Sequence, residues 1–130
     1  MNKWGISVRV VKSLAELKMP KSHRIFLEHL LEYLKSYPVI EKVLLFGSCA
    51  KGEATQKSDI DLLLLGSGMT DEDEWNIAWN CPKWDGIEYV PYDLISGTLD
   101  SYGEMSNIPG MVQHSIKLRG VDLTELLFTR

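Results

Sequence analysis

Residues 59 to 65 read Asp-Ile-Asp-Leu-Leu-Leu-Leu, and no other stretch limits the fold as tightly. The run from Leu62 to Leu65 has no polar face, so as a strand it must be covered on both sides. Asp59 and Asp61 stand at i and i+2 just ahead of it. On a strand they leave the same face, with Cα atoms about 6.5 Å apart, while Ile60 points the other way into the core. The pattern predicts a central strand over residues 59 to 65 whose entry carries two carboxylates. Like charges that close repel, and their desolvation is costly unless a cation sits between them. A hard divalent ion answers that need, and Mg2+ typically keeps one or two carboxylates together with waters and substrate phosphates. An Asp-Ile-Asp lying in solvent at a strand edge is the commoner arrangement. Here the leucines set both acids at the mouth of a buried strand.

Around this strand the chain alternates helical and extended patterns. Leu27, Leu30, Leu31 and Leu34 fall at i, i+3, i+4 and i+7, a helix with one buried stripe running from residue 22 to about residue 36, short of Pro38. Residues 42 to 46 read as a strand and residues 47 to 58 as a polar loop. Residues 71 to 80 read as a helix, with Trp75, Ala78 and Trp79 on the face expected to pack on a sheet. Residues 86 to 90 read as a third strand, residues 110 to 118 as a helix ended by Gly120, and residues 121 to 127 as a short closing element. Upstream, residues 5 to 12 alternate through Ile6, Val8 and Val10 as a weak strand, followed by a helical turn over residues 13 to 18. The expected fold class is α+β: a small mixed β-sheet with helices packed on it. Residues 1–22 form an N-terminal extension packed on or preceding one domain, residues 23–130.

The strand ending at Phe46 opens directly into Gly47-Ser48. A glycine there leaves backbone N–H groups at a turn that no side chain blocks, a place for phosphate oxygens, with the Ser48 hydroxyl as an added donor. Most Gly-Ser pairs are ordinary turns, so the pair gains meaning only from the acids nearby. Lys51 in the same loop either adds a point charge to a phosphate or is a solvated loop lysine.

Composition narrows the partners. With 14 Lys and Arg against 18 Asp and Glu, the net charge is −4, and the cations are scattered. A chain gripping a long polyanion usually carries a basic stripe, so extended nucleic acid is disfavoured. The phosphates of a small nucleotide are not, because metal ions supply positive charge. No apolar run is long enough for a membrane span, no secretory pattern is present, and Cys49 and Cys81 read as reduced thiols. The cytoplasm is the default compartment.

Gly47-Ser48, ten residues, then Asp59-Ile60-Asp61-Leu62 resembles the signature of the DNA polymerase β-like nucleotidyltransferase superfamily. Its minimal, MNT-type branch, written G-S-x-A-R-G…S-D-I-D-L, is matched by Gly47, Ser48, Ala50, Gly52, Ser58, Asp59, Ile60, Asp61 and Leu62. Lys51 stands where that pattern has arginine, which keeps the charge and loses the bidentate fork. Ile87 to Asp93, I-E-Y-V-P-Y-D, is similar to the family's V-D-L-V-P-x-D. On that alignment Glu88 is the third carboxylate, with Asp93 as the rival. Glu88 is favoured because it falls inside the strand pattern, whereas Pro91 marks the Asp93 neighbourhood as a strand end. The resemblance spans about residues 23 to 125.

It implies an enzyme that displaces pyrophosphate from a nucleoside triphosphate, expected to be ATP, and moves the nucleoside monophosphate to a hydroxyl of a protein or small molecule. Asp59, Asp61 and Glu88 would be the catalytic and metal-binding residues, holding two Mg2+ ions or Mn2+ in their place. Gly47, Ser48 and Lys51 would bind the phosphates. Minimal members of the family often work beside a separate helical partner, and some are antitoxins that modify a toxin, so an antitoxin-like or non-catalytic partner-binding domain is the alternative. The remaining polar clusters need no such role. Asp71, Glu72, Asp73 and Glu74 suit a helix N-terminus, His23, His29 and His114 lack metal-ligand spacing, and Trp75, Trp79 and Trp84 are expected to pack.

Overall fold

The computed structural model describes residues 8–128. Helix α1 (Lys21–Leu34) starts directly after Pro20, whose extended φ of −58° and ψ of 150° turn the chain into the first helical residue. Its stripe of Phe26, Leu27, Leu30, Leu31 and Leu34 is buried, as the spacing requires. Strand β2 (Lys42–Phe46) runs antiparallel to β3 (Ile60–Leu65). Between them the short helix α2 (Ser48–Lys51) leaves β2 through Gly47. Helix α3 (Asp71–Trp79) then crosses to β4 (Tyr92–Gly97), which lies parallel to β3. Helices α4 (Leu99–Met105) and α5 (Val112–Arg119) lead to β5 (Val121–Asp122), antiparallel to β2, and helix α6 (Thr124–Phe128) follows. Strand β1 (Arg9–Val10) pairs parallel with β5, so the five-stranded mixed sheet has the order β1-β5-β2-β3-β4. The chain is α+β, with helices on both faces of a small sheet.

Alternation along β3 assigns those faces. Ile60, Leu62 and Leu64 join the cluster built on α1, while Leu63 and Leu65 join Leu44, Leu99, Tyr102 and Ile116 beneath α4 and α5. β3 lies between β2 and β4 and is buried on both sides from Leu62 onward, the environment that the four leucines demand. Asp61 belongs to the α4–α5 face by the same alternation.

The expected strand over residues 86 to 90 is a turn and loop instead, with Gly86 at φ 77°. The pairing segment begins only after Pro91, whose carbonyl accepts from the Ile60 N–H at 3.0 Å. Proline offers no N–H to a ladder and is tolerated at a strand's first position, so it opens β4 rather than closing a strand before it. The apolar side chains of the loop are used otherwise: Val90 is buried, and Trp84 and Tyr89 meet Phe26 edge-on, with centroids 5.5 and 5.6 Å away.

Helix α3 also differs from expectation. Only Ile77 is buried on it. Trp75 and Trp79 are 59% and 72% exposed and stack on each other with centroids 5.1 Å apart, so Trp84 alone of these three packs on the α1 layer. The acids of its first turn are satisfied locally. Thr70 and Asp73 form a reciprocal capping box, and the remaining charge suits the helix dipole.

Upstream of α1, Val11, Leu14, Leu17 and Met19 are buried in the same cluster as the α1 leucines. The turn expected there is a single 3-10 turn over Leu14–Glu16, capped by Ser13. Gly5 and Ile6 lie outside the described residues. No helix among them is long and apolar enough to cross a membrane.

Candidate metal and phosphate site

The pairing of β3 with β4 brings together two carboxylates that are far apart in sequence. Asp61 stands opposite Asp93 in the parallel register. Their neighbours on β4 confirm a shared face. Tyr92 packs against Phe26 of α1, so Asp93, one residue on, faces the α4–α5 side with Asp61. Asp59, exposed, precedes β3 by one residue and adds its charge from the strand entry.

Glu88 is not part of this group. It is exposed in the loop before β4 and lines a groove of about 380 Å³ with Lys21, Ser22 and Ile25 of α1 and with Gln56. That groove opens on the α1 side of the sheet, away from the face Asp61 and Asp93 share. The carboxylate that the sheet register sets beside Asp61 is Asp93. Glu88 fell inside an apolar alternation that turned out to be loop packing.

The electrostatics follow from this crowding. Burial, then the neighbouring charges of Asp93 and Asp59, raise the Asp61 carboxyl above its ordinary range. None of the ion pairs among the described residues reaches Asp59, Asp61 or Asp93, since Lys51 pairs with Glu53, Lys42 with Asp122 and Lys35 with Glu32. The same field reaches Cys49. Its buried thiol is pushed up to about 11 by burial and then by Asp61 and Asp59, so it stays protonated at neutral pH and is no nucleophile.

These residues suit a divalent cation shared with substrate. Among the described residues no three or more His, Cys, Asp or Glu form a ready-made metal cage. Mg2+ does not need one, because it fills its octahedral shell with waters and phosphate oxygens around one or two carboxylates. A pair of uncompensated carboxylates in strand register, one of them held with a raised pKa, is the donor set such an ion satisfies.

The Gly-Ser turn sits against the same carboxylate. Phe46, the last residue of β2, pairs with Asp61, and the chain then bends at Gly47 with φ 74° and ψ −158°, a conformation open only to glycine. A Cβ on Gly47 would run into Asp61 Oδ2. The bend thus brings the first turn of α2, whose leading N–H groups have no intrahelical acceptor, next to the acids. Gly47→Ala is expected to lower the melting temperature by several degrees, corresponding to about 1–3 kcal/mol of backbone strain, and to displace the Asp61 carboxylate; differential scanning fluorimetry reads the first effect. Lys51 ends α2 and lies 3.9 Å from Glu53 Oε1, so its charge is shared with a neighbour.

The histidines hold backbone. His29 Nδ1 meets the Ile25 carbonyl at 2.9 Å, and His114 Nδ1 meets that of Ser106 at 2.9 Å. His23 is buried and bonded to the residue before Asp59, a placement that sequence spacing could not reveal.

The family model described as "Nucleotidyltransferase domain" matches residues 27–122, a span that contains the Gly47 turn, Asp59, Asp61 and Asp93. Among solved structures, a protein from Sulfolobus solfataricus described provisionally as a nucleotidyltransferase is 26% identical, over 59% of this chain and 76% of its own, with a TM-score of 0.35. No curated protein matches the chain significantly.

Proposed function

The chain belongs to the nucleotidyltransferase domain family, and from that premise we propose that it moves a nucleoside monophosphate, AMP in the simplest case, from a nucleoside triphosphate to a hydroxyl on a protein or small molecule. The observation that carries this reading is the register pair Asp61 and Asp93, on one face, with the Gly47-Ser48 bend against Asp61. Residues 59, 61 and 93 would hold divalent ions, Mg2+ or Mn2+, which neutralise charge on the phosphates as the transition state forms. The Ser48 and Cys49 amides, ahead of those of Ala50 and Lys51 that donate to the Gly47 carbonyl, and the Ser48 hydroxyl orient the β- and γ-phosphates, and Lys51 assists at the end of the same turn. In the reaction the acceptor oxygen forms a bond to the α-phosphorus while the bond to the bridging oxygen of pyrophosphate breaks. Asp93 takes the acceptor's proton.

The test is to incubate the protein with α-phosphate-labelled ATP, Mg2+ and a lysate of its source. A labelled protein band or small molecule that disappears when Mg2+ is chelated is expected, and its mobility identifies the acceptor class. No transfer with any of the four nucleoside triphosphates, with Mg2+ or with Mn2+, would overturn the proposal.

A further inference from the structure

Asp59 is an exposed carrier of the proposed metal chemistry, and its side chain accepts no hydrogen bond among the described residues. What holds it is backbone. Between Gly52 and Ile60 the chain has no regular structure, yet three backbone groups around Asp59 are fixed from α1, from α2 and from the loop before β4. The Ser58 carbonyl accepts from His23 Nε2 at 2.7 Å, the Asp59 carbonyl accepts from Cys49 Sγ at 3.5 Å, and the Ile60 N–H donates to the Pro91 carbonyl at 3.0 Å.

The first of these is the shortest and the least ordinary. His23 is 1% exposed and occupies the N-terminal end of the apolar stripe of α1, where an aliphatic residue would continue the pattern. A carbonyl can only accept, so Nε2 carries the proton. The neighbouring Ser22 hydroxyl, 3.1 Å from Nδ1, gives its one proton to Gln56 Oε1 at 3.1 Å. The start of α1 therefore grips the turn ahead of Asp59 at both ends, at Gln56 and at Ser58. That turn is also closed on itself, with Thr55 N donating to Ser58 Oγ at 2.9 Å and Ser58 N to the Thr55 carbonyl at 3.0 Å. His23 lies outside the residues 27–122 that the family model matches.

We infer that His23 is a positioning residue for the metal site: its bond to the Ser58 carbonyl sets the backbone from which Asp59 presents its carboxylate. The inference rests on the function proposed above. Partners one step removed from a metal ligand typically change affinity by about 10- to 100-fold when lost, because the ligand must then be ordered at the moment of binding.

The experiment is Mn2+ titration followed by electron paramagnetic resonance, on the wild-type chain and on His23→Leu and His23→Gln, with Leu30→Ala as a variant destabilised in the same helix. His23→Leu is expected to weaken Mn2+ binding about 10-fold and to raise the metal concentration for half-maximal transfer by the same factor, with kcat recovered at saturating metal. His23→Gln, which keeps a donor on a flexible stem, is expected to recover part of the affinity and serves if the leucine variant does not fold. Leu30→Ala is expected to lose melting temperature without moving the metal requirement, which separates positioning from plain stability. A wild type that binds Mn2+ and a folded His23 variant that binds it equally well would sink this inference and leave the function intact. A wild type that binds no Mn2+ with or without nucleotide would sink the function, and this inference with it.

Discussion

Asp61→Asn is expected to remove nucleotidyl transfer, by a factor on the order of a thousand or more, while the melting temperature stays level or rises. Stabilising a transition state through a carboxylate-held metal is worth several kcal/mol, and each 1.4 kcal/mol is about tenfold in rate. Asparagine keeps the shape and removes the charge. The stability side follows from the raised pKa of Asp61, caused by burial first and then by Asp93 and Asp59. A carboxyl whose folded-state pKa lies above its unfolded value binds its proton more tightly in the fold. Its contribution to stability is fully present below the unfolded value near 3.8 and is lost as pH rises through the folded value. At neutral pH without metal, the raised pKa of Asp61 therefore works against the fold, and the asparagine variant escapes that cost. The melting-temperature advantage of the variant should shrink as pH falls through the folded pKa of Asp61 towards its unfolded value. Measured by thermal melts across that window, an advantage that grows on acidification would contradict the assignment, as would a variant that retains transfer.

Local pattern carried much of this site. Asp59-Ile60-Asp61 ahead of four leucines could be read as a strand mouth because burial on both faces leaves no polar position, and the structure puts β3 inside the sheet. The leucine stripe of α1 was equally legible, since its periodicity is set by one helix alone. What escaped was decided by pairing across the sheet. Ile87-Glu88-Tyr89-Val90 alternates as a strand would, but those apolar side chains pack against α1 and its neighbours from a loop. Pro91 marked a boundary correctly, and nothing local says on which side the strand lies. β5 is two residues long, too short to show a period at all. Trp75 and Trp79, on one face of their helix, were expected to pack it on the sheet, yet they stack on one another while largely exposed. His23 could not be recognised from spacing, because its partner is a backbone carbonyl 35 residues away.

The register pair makes the opposite expectation for two acids that look alike in sequence. Asp93→Asn is expected to cut transfer by about 10²- to 10⁴-fold, the range for losing a positioned proton acceptor, whereas Glu88→Gln should stay within about threefold, as suits an exposed loop residue. The comparison is made under single-turnover conditions at saturating Mg2+, so that metal affinity does not mask the chemical step. Asp61 and Asp93 act on one centre, so their effects should not add: the Asp61→Asn, Asp93→Asn double variant should be little worse than the poorer single one. The opposite result has a definite structural meaning. Should Glu88→Gln carry the loss while Asp93→Asn is spared, the reacting centre lies on the α1 side of the sheet, in the groove of Lys21, Ser22 and Gln56. The carboxylates facing each other across β3 and β4 would then be a charge repulsion that the fold tolerates for some other reason.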